Sequence, residues 1–208
     1  MFKTLLYVNM GANFDWYYWL SQLFLYSFVL VGVLGWSSGK YSKLLLGFFA
    51  VFIFGFQLFH SLSTGNGERN HRMKIGLYLD KLEPDKNQWI MLEPAGYIPY
   101  YSKLKVSDDI GLVDKRVTNE ILKNKNHWYP RFLQTYKPKY VLTLFPIPKT
   151  NKAYLDFRED QKDWFQKNYS LHKVFYAKEA VNSTQNIWLK KLYNLKPSAR
   201  DYYLYIKR

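Results

Sequence analysis

The chain has 208 residues, no cysteine, a formal net charge of +14 and a mean hydropathy of −0.32. Lacking cysteine, it has no disulfide framework, no thiolate metal site and no cysteine nucleophile. The mildly polar average hides two solvents, because the first 62 residues hold only three of the basic side chains (Lys3, Lys40 and Lys43) and the remainder is strongly basic.

Met1 to Asn13 carries one lysine and a short apolar run, without the long apolar stretch and small-residue cleavage point of a signal peptide. Tyr17 to Trp36 and Leu44 to Leu62 follow, two segments free of Asp, Glu, Lys and Arg. At a rise of about 1.5 Å per residue each matches the roughly 30 Å hydrocarbon core of a bilayer. The expectation is a pair of transmembrane α-helices, about 17–36 and 44–62, joined by Gly39-Lys-Tyr-Ser-Lys, with residues 1–62 forming a membrane hairpin and 63–208 a small extracytoplasmic α/β domain. Trp16, Tyr17, Tyr18, Trp19, Trp36 and Tyr41 suit the interfaces, and Lys40 and Lys43 place the connection on the cytoplasmic side. The implied location is the bacterial inner or plasma membrane, with membrane lipid as one partner.

Ser63-Thr-Gly-Asn-Gly-Glu reads as a polar exit from the membrane. Ile75, Tyr78, Leu79 and Leu82 then share one face of a helix, and Trp89 to Leu92 is a continuous apolar run typical of a strand buried on both faces. Glu93-Pro-Ala-Gly-Tyr-Ile-Pro-Tyr-Tyr leaves the end of that strand. Two prolines and a glycine in so short a stretch predict an irregular loop. It lies where functional loops of α/β folds occur, at a strand's carboxyl end.

A short strand is expected in Lys105 to Val113, ending at Asp108 and Asp109. Asp114 suits an N-cap for a helix over Val117, Ile121 and Leu122, and a second helix runs over Trp128, Phe132, Leu133 and Tyr136. Tyr140 to Phe145 is the clearest strand, Ala153 to Lys167 has helical spacing, and Leu171 to Ala177 and Tyr202 to Ile206 are further strands. Helices alternating with strands give an α/β domain with a largely parallel or mixed sheet.

Glu93 is a carboxylate between a buried strand and a Pro-Gly loop, able to serve as acid or base or to orient a hydroxyl; the bland alternative is a turn cap or a lysine partner. Tyr97, Tyr100 and Tyr101 offer aromatic faces to a sugar, or ordinary packing. Asp108 and Asp109 are adjacent and point to opposite sides of a strand, so they make no acid/base pair by themselves. Arg69, Arg72 and Lys74 are placed to meet phosphate oxygens or lipid headgroups, or to form a solvated collar. His60, His71, His127 and His172 lack metal-ligand spacing, and the sequence names no metal site, no cofactor and no catalytic residue.

Several blocks resemble the C-terminal region of GT-C class membrane glycosyltransferases, nearest to bacterial enzymes of the dolichyl-phosphate-mannose mannosyltransferase-like kind. They are Phe14-Asp-Trp-Tyr-Tyr, Arg72-Met-Lys-Ile-Gly-Leu-Tyr-Leu, Ile90-Met-Leu-Glu-Pro-Ala-Gly-Tyr-Ile-Pro-Tyr-Tyr, Asp109-Ile-Gly-Leu-Val and Lys137-Pro-Lys-Tyr-Val-Leu. The resemblance implies a polyprenyl-phosphate sugar donor and transfer outside the cytoplasm. It also implies a C-terminal portion or split subunit, since the class keeps its catalytic acids in a first outer loop that has no match here. A partner chain carrying the remaining membrane helices is then expected, and nucleic acid is not. The rival expectation is a non-enzymatic membrane-anchored binding or assembly protein, whose basic domain holds an anionic polymer or a partner protein.

Overall fold

The computed structural model describes residues 26, 32, 40–93, 96–124, 127–147, 157–195 and 200–208. The chain divides into two units, Met1–His60 and Ser61–Arg208. In the first, helix α1 (Lys40–Gly67) begins, and Leu44, Phe48, Val51, Phe52 and Phe54 on it are exposed.

The expected membrane hairpin needs correction. Among the described residues no helix is long and apolar enough to cross a membrane. Tyr17 to Trp36 lies outside the described residues apart from Tyr26 and Gly32. Leu44 to Leu62 is not an apolar rod bounded by loops, because α1 takes in Lys40 and Lys43 at one end and the polar Ser63 to Gly67 at the other. The expected polar exit is helical too: the backbone stays right-handed through a π-helical segment, Glu68–Arg72, into α2 (Met73–Leu82).

The second unit is built on a five-stranded sheet of β1 (Trp89–Leu92), β2 (Lys105–Asp108), β3 (Tyr140–Thr143), β4 (Tyr169–Phe175) and β5 (Tyr202–Lys207), in the order β2-β1-β3-β5-β4. β1 pairs in parallel with β2 and β3, whereas β5 runs antiparallel to β3 and β4, so the sheet is mixed. Alternation divides the core into two layers. On one face Ile90, Leu92, Leu142 and Leu204 pack with Ile75 and Leu79 of α2 and Ile98 of α3 (Tyr97–Ser102). On the other, Met91, Val141 and Tyr205 meet Val117 of α4 (Lys115–Asn124), Phe132 and Leu133 of α5 (Trp128–Tyr136) and Phe165 of α6 (Glu159–Asn168). Two short helices, α7 (Ala177–Asn182) and α8 (Ile187–Leu195), separate β4 from β5.

The Glu93 loop also departs from expectation, since Tyr97 to Ser102 is helical with a proline inside it. Pro99 falls in the first turn, where an amide has no intrahelical acceptor to lose, so the ring is tolerated. Asp114 caps α4 as expected, its Oδ1 accepting the Arg116 amide at 2.9 Å.

Candidate functional site

The pairing of Leu92 with Asp108 sets the next residues out, Glu93 and Asp109, side by side at the carboxyl ends of two parallel strands. The Asp109 amide donates to the Leu92 carbonyl at 3.2 Å and fixes that register one step beyond the ladder. Strand ends of this polarity are where open α/β sheets bind ligands.

The two aspartates have separate work. Asp108 is buried and accepts the amides of Leu112, Val113 and Asp114 at 2.6, 2.9 and 3.1 Å, so it builds the loop that leads to α4. Asp109 keeps some exposed surface as a residue, but its Oδ1 is enclosed with no hydrogen-bond partner. Burial, reinforced by the charges of Glu93 and Asp108, pushes the Asp109 carboxyl up to about 8. It is therefore mainly a neutral acid at pH 7, beside the half-buried Glu93. A carboxyl that keeps its proton at pH 7 beside a second carboxyl is an arrangement in which the two can take different roles in one site.

The π-helical turn brings a second group to the same end of the sheet. Arg72 Nε donates to the Tyr202 hydroxyl at 3.0 Å, and its guanidinium also pairs with Glu68. Burial raises the Tyr202 phenol, Arg72 opposes that shift, and the negative charge of Glu93 adds to it, so the Glu93 field reaches this group. His71 is buried, its Nε2 lies 2.9 Å from the Arg200 carbonyl oxygen, and its ring tilts against Tyr202. Burial holds its pKa below the usual value, which keeps it neutral at pH 7. π-helical turns often occur where side chains are aimed at a functional site.

The tyrosines of α3 complete the edge. Tyr101 lies between Tyr97 and Tyr100, with ring centroids 6.0 and 5.0 Å away, and Tyr97 and Tyr100 are exposed. Helix α3 sits this close to α2 because of Gly76, where an added Cβ would come within 2.7 Å of Tyr101 Cβ and 2.9 Å of the Ile98 carbonyl oxygen. An exposed ring surface of this kind can stack against the apolar face of a ring-shaped ligand.

Of the residues singled out from sequence, Glu93 and Asp109 stand together, with Tyr97, Tyr100 and Tyr101 on the helix that follows Glu93. Among the described residues Glu93 is in no ion pair. Arg72 is occupied by Glu68 and Tyr202; Arg69 is exposed, and exposed Lys74 donates to Ser183 Oγ at 3.2 Å. The basic trio thus does not converge. Sequence reasoning missed the roles of Glu68, His71 and Tyr202; Tyr202, 130 residues beyond Arg72, meets the turn that carries Glu68 and His71 only through the fold. The aromatic and apolar run of Tyr202 to Ile206 marks a strand without showing what its first residue touches. Among the described residues no group of three or more His, Cys, Asp or Glu side chains could hold a metal ion.

A family model described as "Domain of unknown function (DUF8728)" matches residues 61–205, nearly the whole second unit. No curated protein and no solved structure matches the chain.

Proposed function

The chain belongs to the DUF8728 family, and we propose that its α/β unit binds a sugar carried on phosphate and assists transfer of that sugar to a hydroxyl acceptor. The observation that carries this reading is the Asp109 carboxyl, its enclosed Oδ1 without a hydrogen-bond partner among the described residues, beside Glu93 at the ends of β1 and β2. An ionised Glu93 takes the proton of the acceptor hydroxyl as its oxygen attacks the anomeric carbon. The bond from that carbon to the phosphate oxygen breaks, and the phosphate leaves with the electron pair. Asp109, neutral at pH 7, donates a hydrogen bond to the sugar or to the departing phosphate. Tyr97, Tyr100 and Tyr101 stack on the sugar, and Arg72 holds Tyr202 in place. A polyprenyl carrier and a partner chain supplying further catalytic acids are part of the same proposal.

Titration of the full chain with a glycosyl 1-phosphate, followed by saturation-transfer NMR, tests it. The Glu93→Gln/Tyr97→Ala double variant is expected to weaken binding by about tenfold or more, roughly 1.4 kcal/mol, with an unchanged circular-dichroism spectrum. Equal binding by parent and variant, or no binding by the parent, would overturn the reading.

A further inference from the structure

At the opposite end of the sheet lies a cavity of about 310 Å³ with a basic lining. Topology gathers its residues. Trp89 opens β1, Lys137 and Lys139 precede β3, and the antiparallel β5 delivers Lys207 and Arg208 to the same end. Tyr136, the last residue of α5, supplies a second aromatic side chain. No acidic side chain lines the cavity.

Three of the four lining cations have no acidic partner. Lys139 is paired with the buried Glu83, whereas Lys137, Lys207 and Arg208 are in no ion pair among the described residues. Arg116, which lies over the rings of Trp89 and Tyr136 at 3.8 and 5.2 Å, is paired with Asp114 and is not a lining residue. Asp85, held by Gln88 at 2.7 Å, is the nearby acid on the rim.

Lys137 supplies an independent sign. It takes the left-handed conformation at φ 45°, capping α5 with its amide on the Leu133 carbonyl, at a position where glycine is the usual residue. The only other described non-glycine residue with positive φ, Lys103, lies within 3.6 Å of Asp80. Lys137 has no such compensation. A lysine kept at a strained cap, facing a cavity with two further unpaired cations, suits an anion of high charge density.

We propose that this cavity is a second ligand site, which takes a small anion bearing two or more phosphate groups. The volume lies at the low end of the range for small-molecule sites, enough for an oligophosphate or a nucleoside phosphate. Isothermal titration of the full 208-residue chain with sodium tripolyphosphate at fixed ionic strength tests it. The Lys137→Glu/Lys207→Glu variant is expected to lose about tenfold or more in affinity. Lys123→Glu/Lys178→Glu, an equal change of net charge at exposed positions outside the lining, is expected to change it less than about twofold, as is Asp109→Asn. Equal losses in the two charge-reversal variants would show attraction to the overall positive field, and absence of saturable binding would show no site; either overturns the proposal. So would saturable binding of a single-stranded oligonucleotide, lost in the Lys137/Lys207 variant, by a chain that does not bind tripolyphosphate.

Discussion

At their carboxyl ends β1 and β2 pass into Glu93 and Asp109, one carboxyl half-buried and the other enclosed without a partner. At the amino ends of β1 and β3 the same sheet presents Lys137 and Lys139, joined by Lys207 and Arg208 from β5. β1 spans four residues, so about 13 Å of strand separates an acidic edge from a basic one. The difference lies in how each edge handles its charge. The acidic edge is desolvated and resolves the conflict between neighbouring carboxyls by keeping a proton, as the Asp109 pKa of about 8 indicates. The basic edge stays in contact with water and, among the described residues, leaves Lys137, Lys207 and Arg208 without an ion pair, which costs little at a surface. Chemistry that depends on a proton suits the first, and capture of a charged ligand suits the second.

The comparison can be broken most directly at Gly76. Replacement by alanine drives a Cβ into Tyr101 and the Ile98 carbonyl, neither of which is the loose end of a flexible side chain. A loss of about 3 kcal/mol in denaturant unfolding is expected, together with displacement of α3 from the acidic edge. Tripolyphosphate affinity at pH 7, measured where the variant remains folded, is expected to stay within about twofold of the parent. A variant as stable as the parent would show that α3 does not depend on this close approach.

The proton on Asp109 gives the next effect. Its folded pKa is about 8 against roughly 3.9 in the unfolded chain, so the folded state binds the extra proton between those values. The group's contribution is fully present below about pH 4 and is lost as pH rises toward 8, at a slope of up to about 1.4 kcal/mol per pH unit. Asp109→Asn should flatten that decline in unfolding experiments across the window. An unchanged profile would show that the carboxyl titrates normally.

A smaller effect belongs to Glu83, which pairs with Lys139 at the basic end. It is buried, and although desolvation opposes its charge, hydrogen bonds from Lys139 and Tyr140 hold its carboxyl below the ordinary range. Its stabilising contribution is therefore present above the unfolded value and lost as pH falls through the folded one. Tyr140→Phe removes a 2.9 Å bond to Glu83 and is expected to cost about 1 to 2 kcal/mol at pH 7, with a shallower loss in acid because the Glu83 carboxyl is then held down less. The smallest expected change is Tyr100→Ala, at 76 % exposure, with under about 0.5 kcal/mol in stability but a measurable loss in sugar binding.

Much of the α/β unit was legible along the chain because its signals are local. The apolar run of Trp89 to Leu92, the β-branched and aromatic Tyr140 to Thr143 and the aromatic run of Tyr202 to Ile206 each specify a strand, and Asp114 announces α4. Glu93, Asp109 and the tyrosines were visible as candidates because a chain leaving a buried strand must turn there. Local signals misled at Leu44 to Leu62 and at Tyr97 to Ser102. In the first case apolar composition suggests a span but does not say where the helix ends, and α1 runs past both expected borders. In the second, prolines counted against a helix although one of them sits where a helix tolerates it. The pairing of Glu93 with Asp109, the tie of Arg72 to Tyr202 across 130 residues and the meeting of Lys137 with Lys207 depend on strand order and direction. The sequence by itself determined which segments become strands and helices, through periodicity, capping and burial preference. Only the tertiary structure decided which strand ends lie side by side, because register and crossover are set by packing of the whole sheet, and with them which carboxyl is denied water and keeps its proton.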